Sequence, residues 1–219
     1  YGVAEIPCLR DFLAYAVQNW AAPPRYVVLV GEGTYDYRDC KGAGDSKVPA
    51  MMASTPHGIF ASDGWFTDFD GDLVPDVAIG RLPALTAEEV SSLVNRIIRY
   101  ETGEGGRWRQ DVVLAADNPD NGGDFDAASE EVLGLMPVDY AVEKVYLSQH
   151  PVNEAKALLT NAMNRGAGLV NYFGHGGLDT MATEGLLKSS HAASLTNSAR
   201  LPLVVSLSCA IGQFAAPAY

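Results

Sequence analysis

Positive charge, cysteine and long apolar stretches are all scarce in this sequence, and each shortage removes a class of function. Fifteen Lys and Arg stand against 27 Asp and Glu, for a formal net charge of -12. Binding to nucleic acid depends on clustered Lys and Arg that neutralise phosphates, and no such cluster is present. No apolar run approaches the ~20 residues that cross a bilayer. The longest candidate, residues 201–212, is interrupted by Pro202 and by serines, so membrane insertion is not expected. The three cysteines, Cys8, Cys40 and Cys209, cannot all pair within one chain. A small disulfide-stapled scaffold is excluded, and at least one thiol is free or bonded outside the chain. The start, Tyr1-Gly-Val-Ala-Glu5, lacks the basic and apolar regions of a signal peptide. With no initiator Met and an end just past an apolar run, the chain is expected to be part of a longer polypeptide or to associate with a C-terminal segment.

Hydrophobic residues make up 47% and charged residues 19%, the balance of a folded soluble protein. At 219 residues, one large domain or two small ones can bury a core. Short apolar runs predict strands at 26–30, 76–80, 111–116, 142–147, 168–173 and 203–207. The first, Tyr26-Val-Val-Leu-Val30, reads as a strand buried on both faces. Helical periodicity predicts helices at 9–20, 87–101, 125–135 and 153–165, the second opened by the capping box Thr86-Ala-Glu-Glu89. This alternation implies an α/β fold with a parallel, doubly wound sheet. The Gly-rich stretch Thr102-Gly-Glu-Gly-Gly106 predicts a seam between an N-terminal α/β subdomain, 1–106, and a second subdomain, 107–219.

In the second subdomain two strands end in chemistry-bearing residues. One runs into Gly174-His175-Gly176-Gly177, a turn with little steric cover where the imidazole can face a cleft. The other ends in Ser208-Cys209-Ala210. Open α/β sheets place their sites at such carboxyl ends. If the strands are neighbours, His175 and Cys209 lie about one strand spacing apart, ~4.8 Å. A neighbouring imidazole lowers a thiol's pKa from its free value of about 8.5, and the thiolate is the nucleophile. The amides of Gly176 and Cys209 are candidate donors to an oxyanion. The plain alternative is a buried Cys acting as a small hydrophobe and a hydrogen-bonded His; the paired placement favours catalysis.

Several blocks follow one another in order: Pro24-Arg-Tyr-Val-Val-Leu-Val-Gly31 with Tyr35-Asp-Tyr37, Ala61-Ser-Asp63 with Trp65, Asp76-Val-Ala-Ile-Gly-Arg-Leu-Pro83, Ala116-Asp-Asn118, Asn171-Tyr-Phe-Gly-His-Gly176, and Leu201-Pro-Leu through Ser208-Cys209. In these the sequence resembles the gingipain-type cysteine peptidases of family C25, which share the caspase-like fold of clan CD. The resemblance implies mostly parallel, doubly wound sheets flanked by helices in two side-by-side subdomains, the second being catalytic. It implies a cysteine endopeptidase, secreted or at the cell surface, that acts on proteins or peptides through a thioester acyl-enzyme. His175 is then the general base or acid and Cys209 the nucleophile. Asp117 matches the carboxylate that the family places behind the His. Asp124 is the nearest match to an acidic residue of the specificity pocket, which implies a basic residue before the scissile bond. The family's catalytic domain continues well past the nucleophile, whereas ten residues follow Cys209 here.

A second cluster is rich in aspartate. Asp68, Asp70, Asp72 and Asp76 stand at relative positions 1, 3, 5 and 9, with Asp63 shortly before. Alternate carboxylates on a tight loop can converge on Ca²⁺, which takes about 6–8 oxygen ligands. Leu73 occupies the position usually held by Gly, and no Glu follows at position 12, so a solvated acidic turn is the alternative. A structural Ca²⁺ is the expectation, with Asp63 as a further ligand or a turn residue. Gly31-Glu-Gly33 lacks the third Gly and the helix of a dinucleotide fingerprint and reads as a turn. His57 and His150 read as surface residues, and His191 has no metal-like partner at i+4. Cys8 and Cys40 either pair or are two buried thiols. Trp65 and Phe66 read as packing residues. Two other functions fit the same residues: a calcium-bound, non-catalytic module of a large surface protein, and a sortase-like transpeptidase using the same dyad.

Overall fold

Pro7 sits in the first turn of α1 (Ile6–Asn19), where its missing N–H costs nothing. In the computed structural model, residues 5–42, 46–56, 58–103 and 105–216 are described; His57, expected at the surface, lies outside them. β1 (Tyr26–Val30) follows, then the antiparallel pair β2 (Met52–Thr55) and β3 (Gly58–Ala61). β4 (Ala78–Leu82) returns parallel to β1, with Tyr26 opposite Ala78 and Val30 opposite Leu82. β4 starts two residues later than the apolar run because Asp76 belongs to the preceding loop: its amide donates to Thr67 O and its carboxylate accepts from Phe69 N.

Leu13, Leu29 and Phe66 form a small core, with Val27, Ile79 and Trp65 packed on it. Only that face of β1 is covered. Tyr26, Val28 and Val30 are 74%, 60% and 45% exposed, contrary to the expectation of burial on both faces, because no described element packs against them. α2 (Ala87–Thr102) is capped as expected, with Glu89 N donating to Thr86 Oγ1 and Thr86 N to the Glu89 carboxylate.

The larger unit continues with β5 (Asp111–Ala116), α3 (Phe125–Leu135), β6 (Ala141–Tyr146), α4 (Val152–Arg165), β7 (Leu169–Phe173), β8 (Thr180–Met181), β9 (Leu187–Lys188), α5 (Ser189–Ala192) and β10 (Leu203–Leu207). Four strands form one parallel sheet in the order β10-β7-β5-β6. Val112 through Ala116 are all buried. Val113 and Ala115 face the layer containing Ala155, Leu159 and Met163 of α4. Val112, Leu114 and Ala116 face the layer with Val132 and Leu133 of α3. Period-two alternation thus feeds both faces, which is why a continuous apolar run is needed here. Truncating Leu114 to Ala would cost about 2–5 kcal/mol.

The chain groups into two units: one extends to Asn95 and resumes at Gln213, and the other is Arg96–Gly212. The division therefore falls inside α2 rather than at residue 106, because the second half of the helix, from Arg96, groups with the residues that follow it. Within the second unit, β6 lies on one side of β5, with β7 and β10 on the other. That reversal puts the carboxyl ends of β5 and β7 at the point of the sheet where open α/β folds bind ligands. Among the described residues, no helix is long and apolar enough to cross a membrane.

Candidate active site

Phe173 ends β7 directly opposite Leu207, the last residue of β10. His175 and Cys209 each lie two residues further along these paired strands. The ladder continues past the strand ends, with Gly174 N donating to Leu207 O at 3.4 Å. The two loops then touch. A Cβ built on Gly176 would lie 2.2 Å from Ser208 Oγ and 2.7 Å from Ile211 Cγ1, so glycine is required for the His loop to close onto the Cys loop. Cys209 is an exposed free thiol. The amides of Gly176 and Cys209 donate to no acceptor among the described residues.

The main chain of His175 is clamped from two directions. Its amide donates to Asp117 Oδ2 at 3.1 Å. Its carbonyl accepts from Tyr172 Oη at 2.7 Å and from Ala182 N at 2.9 Å. Gly174 between them has φ +153°, and a Cβ there would fall 2.4 Å from Asp117 Cβ. Burial, and then the Asp117 charge, push the Tyr172 phenol well above its ordinary value, so it remains a donor across the working pH range.

The imidazole has a different carboxylate partner from the one the resemblance implies. Asp117, 3% exposed, is spent on the amides of Asn118 and His175, whereas the ring Nε2 lies 2.9 Å from Asp120 Oδ2. Asp120 was missed by sequence reasoning. The signal available was Asn121-Gly122, a turn dipeptide that fixes the direction of the residue before it. The Phe125 ring meets the imidazole edge-on, with centroids 5.3 Å apart. Asp124 caps α3, its Oδ1 accepting from Ala127 N at 2.9 Å.

A cavity of about 320 Å³ lies among residues that follow His175 and Cys209 in the chain, with Leu178, Met181, Leu187 and Ile211 in its wall beside Asp179 and Lys188.

The other aspartate cluster is only partly convergent. Asp68, Asp70 and Asp76 bring carboxylate oxygens within 4.8 Å of one another, a spacing suited to one cation. Asp72 turns away to accept from Val74 N at 2.8 Å. Asp63 is no ligand candidate: both its oxygens bind the buried Arg81 guanidinium at 2.8 Å. Arg81 also donates to the carbonyls of Gly31, Val48 and Pro49 and lies over the Phe214 ring. Phe66 is fully buried and Trp65 stacks under Arg10, as expected of packing residues. Cys8 and Cys40 are exposed free thiols, neither paired nor buried.

Against known proteins, the sequence profile of peptidase family C25 matches residues 1–218. Gingipain R2 of Porphyromonas gingivalis is 29% identical over 214 residues, or 94% of this chain and 26% of that protein. The crystal structure of the Arg-specific cysteine proteinase gingipain R superimposes with a TM-score of 0.76 at 23% identity, covering 98% of this chain and 47% of that one. A complex of the pro- and mature domains of a Porphyromonas gingivalis gingipain gives a TM-score of 0.73, covering 94% of this chain and 46% of that one. The chain therefore spans about a quarter of the first relative's length and about half of the two solved chains.

Proposed function

The chain belongs to peptidase family C25, and we propose that it carries the His175–Cys209 dyad of a cysteine endopeptidase. The observation that supports this most is the register of β7 and β10, which sets the two residues at equal distances beyond paired strand ends on loops in contact. In the proposed reaction, the Cys209 thiol gives its proton to the His175 imidazole and the sulfur attacks the substrate carbonyl carbon. The oxyanion that forms accepts from the amides of Gly176 and Cys209. On collapse the C–N bond breaks and the departing amine takes the proton from His175, leaving a thioester. Water, deprotonated by the same imidazole, then attacks the thioester and releases the acid and the thiol.

Supporting features are the cavity among residues that follow His175 and Cys209, which would hold a substrate side chain, and the second oxygen of the exposed Asp124, which could meet a basic one. A structural Ca²⁺ held by Asp68, Asp70 and Asp76 is a further part of the proposal, supported by the convergence of their oxygens; it would pin the loop before β4. The family membership supports a secreted or cell-surface location.

Full-length protein under reducing conditions, with Ca²⁺, should cleave an unfolded casein substrate. Replacing Cys209 or His175 with Ala should lower that activity by ~10³-fold or more. An intact substrate after long incubation would reject the endopeptidase reading, and products trapped by an added amine in excess of hydrolysis would make the enzyme a transpeptidase.

A further inference from the structure

The His175 ring has a carboxylate partner, Asp120, that neither motif nor resemblance singles out. Asp120 opens a hairpin turn: its amide donates to Gly123 O at 3.1 Å, and Gly123 N donates back to Asp120 O at 3.2 Å. Its Oδ1 folds over the turn to accept from Gly122 N at 2.7 Å. One carboxylate oxygen is therefore fixed by the loop's own backbone, and this aims the other, Oδ2, at His175 Nε2. The turn also lies against the ring. A Cβ on Gly122 would stand 3.0 Å from His175 Cε1 and 3.3 Å from Nε2. Phe125 closes the edge-on contact.

We propose that Asp120 is the positioning residue of the dyad: it holds the imidazole proton on Nε2, which leaves Nδ1 as the base for the Cys209 thiol. This rests on the dyad reading. An ionised carboxylate only accepts, so the nitrogen facing it must carry a hydrogen, and a neutral imidazole has one N–H. When Nδ1 takes the thiol proton, Asp120 lies opposite the positive charge that forms and stays ionised throughout. The Gly122 amide, and next the His175 ring, hold its carboxyl below the ordinary carboxylate range, in keeping with that role. Asp117 is left the complementary task of holding the His175 main chain.

The fixed oxygen makes the test sharp. In Asp120→Asn the Gly122 N–H still requires an acceptor, so the amide oxygen takes the Oδ1 place and the NH₂ points at His175. Nε2 must then accept, and the proton moves to Nδ1, removing the base. Asp120→Ala imposes neither tautomer. ¹⁵N NMR of His175 in the full-length protein should show Nε2–H in the wild type and Nδ1–H in Asp120→Asn. Turnover should fall by on the order of 10²-fold or more in Asp120→Asn and by less in Asp120→Ala, with KM and melting temperature little changed. Nε2–H retained in Asp120→Asn, or Asp120→Asn as active as the alanine variant or more so, would overturn the proposal. The tautomer is read without turnover, so an inactive wild type would reject the peptidase reading while the NMR result still decides the role of Asp120.

Discussion

Two loops of this chain carry clusters of aspartate, yet they spend their carboxylates in opposite directions. Between residues 63 and 76 the acidic side chains turn inward on their own unit. Asp63 neutralises Arg81, Asp68 accepts from the amides of Gly71 and Leu73, Asp76 accepts from Phe69 N, and Asp72 from Val74 N. Between residues 117 and 124, two aspartates each give one oxygen to their own loop and the other to His175. Asp117 binds the amides of Asn118 and His175; Asp120 binds Gly122 N and the His175 ring. The first pattern makes a self-contained brace, the second a mount for a residue on the next strand of the sheet. Aspartate content cannot separate the two; what each second oxygen faces does.

That contrast can be broken by removing one carboxylate from each side, and the largest effect should come from the brace. Asp63→Ala leaves the Arg81 guanidinium, whose side chain is 3% exposed, without its anionic partner. Loss of one member of a buried pair costs about 3–5 kcal/mol. Urea denaturation should show a loss of that size, with Cys209 reactivity unchanged in protein that remains folded. A midsize effect concerns the cation. At a Ca²⁺ concentration of about 100 Kd, stabilisation of ~2.7 kcal/mol is expected. The Asp68→Asn, Asp70→Asn double variant should abolish it, and wild-type melting indifferent to Ca²⁺ would remove the site. The smallest effect belongs to the mount. The Asp120 carboxyl is held below its ordinary 3.8, first by the Gly122 amide and then by His175. A depressed acid contributes stability above its unfolded value and loses it as pH falls through the folded value. Acid titration of the melting temperature below pH ~4 should therefore decline slightly less steeply in Asp120→Ala than in the wild type. The effect is small because an exposed pair is well screened.

Much of this architecture was legible in the order of residues. β5 and α3 fall where continuous apolar runs and helical periodicity put them, since both depend on local pattern and on burial by near neighbours. Gly174-His175-Gly176 and Ser208-Cys209 were legible as a pair because a strand end needs no tertiary information to be recognised. The partner of the imidazole was not. Whether Asp117 or Asp120 faces the ring depends on a two-residue turn and on which oxygen the Gly122 amide claims. Asp63 misled for a related reason: its spacing suits a cation loop, but Arg81, 18 residues later, reaches it through the fold. The covered and bare faces of β1 could not be told apart either, because both carry valines and only packing decides which is buried.

Alkylation of the three cysteines decides whether Cys209 is the nucleophile served by His175. Cys8, Cys40 and Cys209 are all exposed free thiols, so access alone gives no reason for one to react first. A free thiol is only a few per cent thiolate at pH 7. In full-length protein at pH 7, iodoacetamide followed by peptide mass mapping should modify Cys209 at least ~10-fold faster than Cys8 or Cys40, and His175→Ala should erase that lead. Equal rates at the three positions, or a lead at Cys209 that survives His175→Ala, would contradict the account.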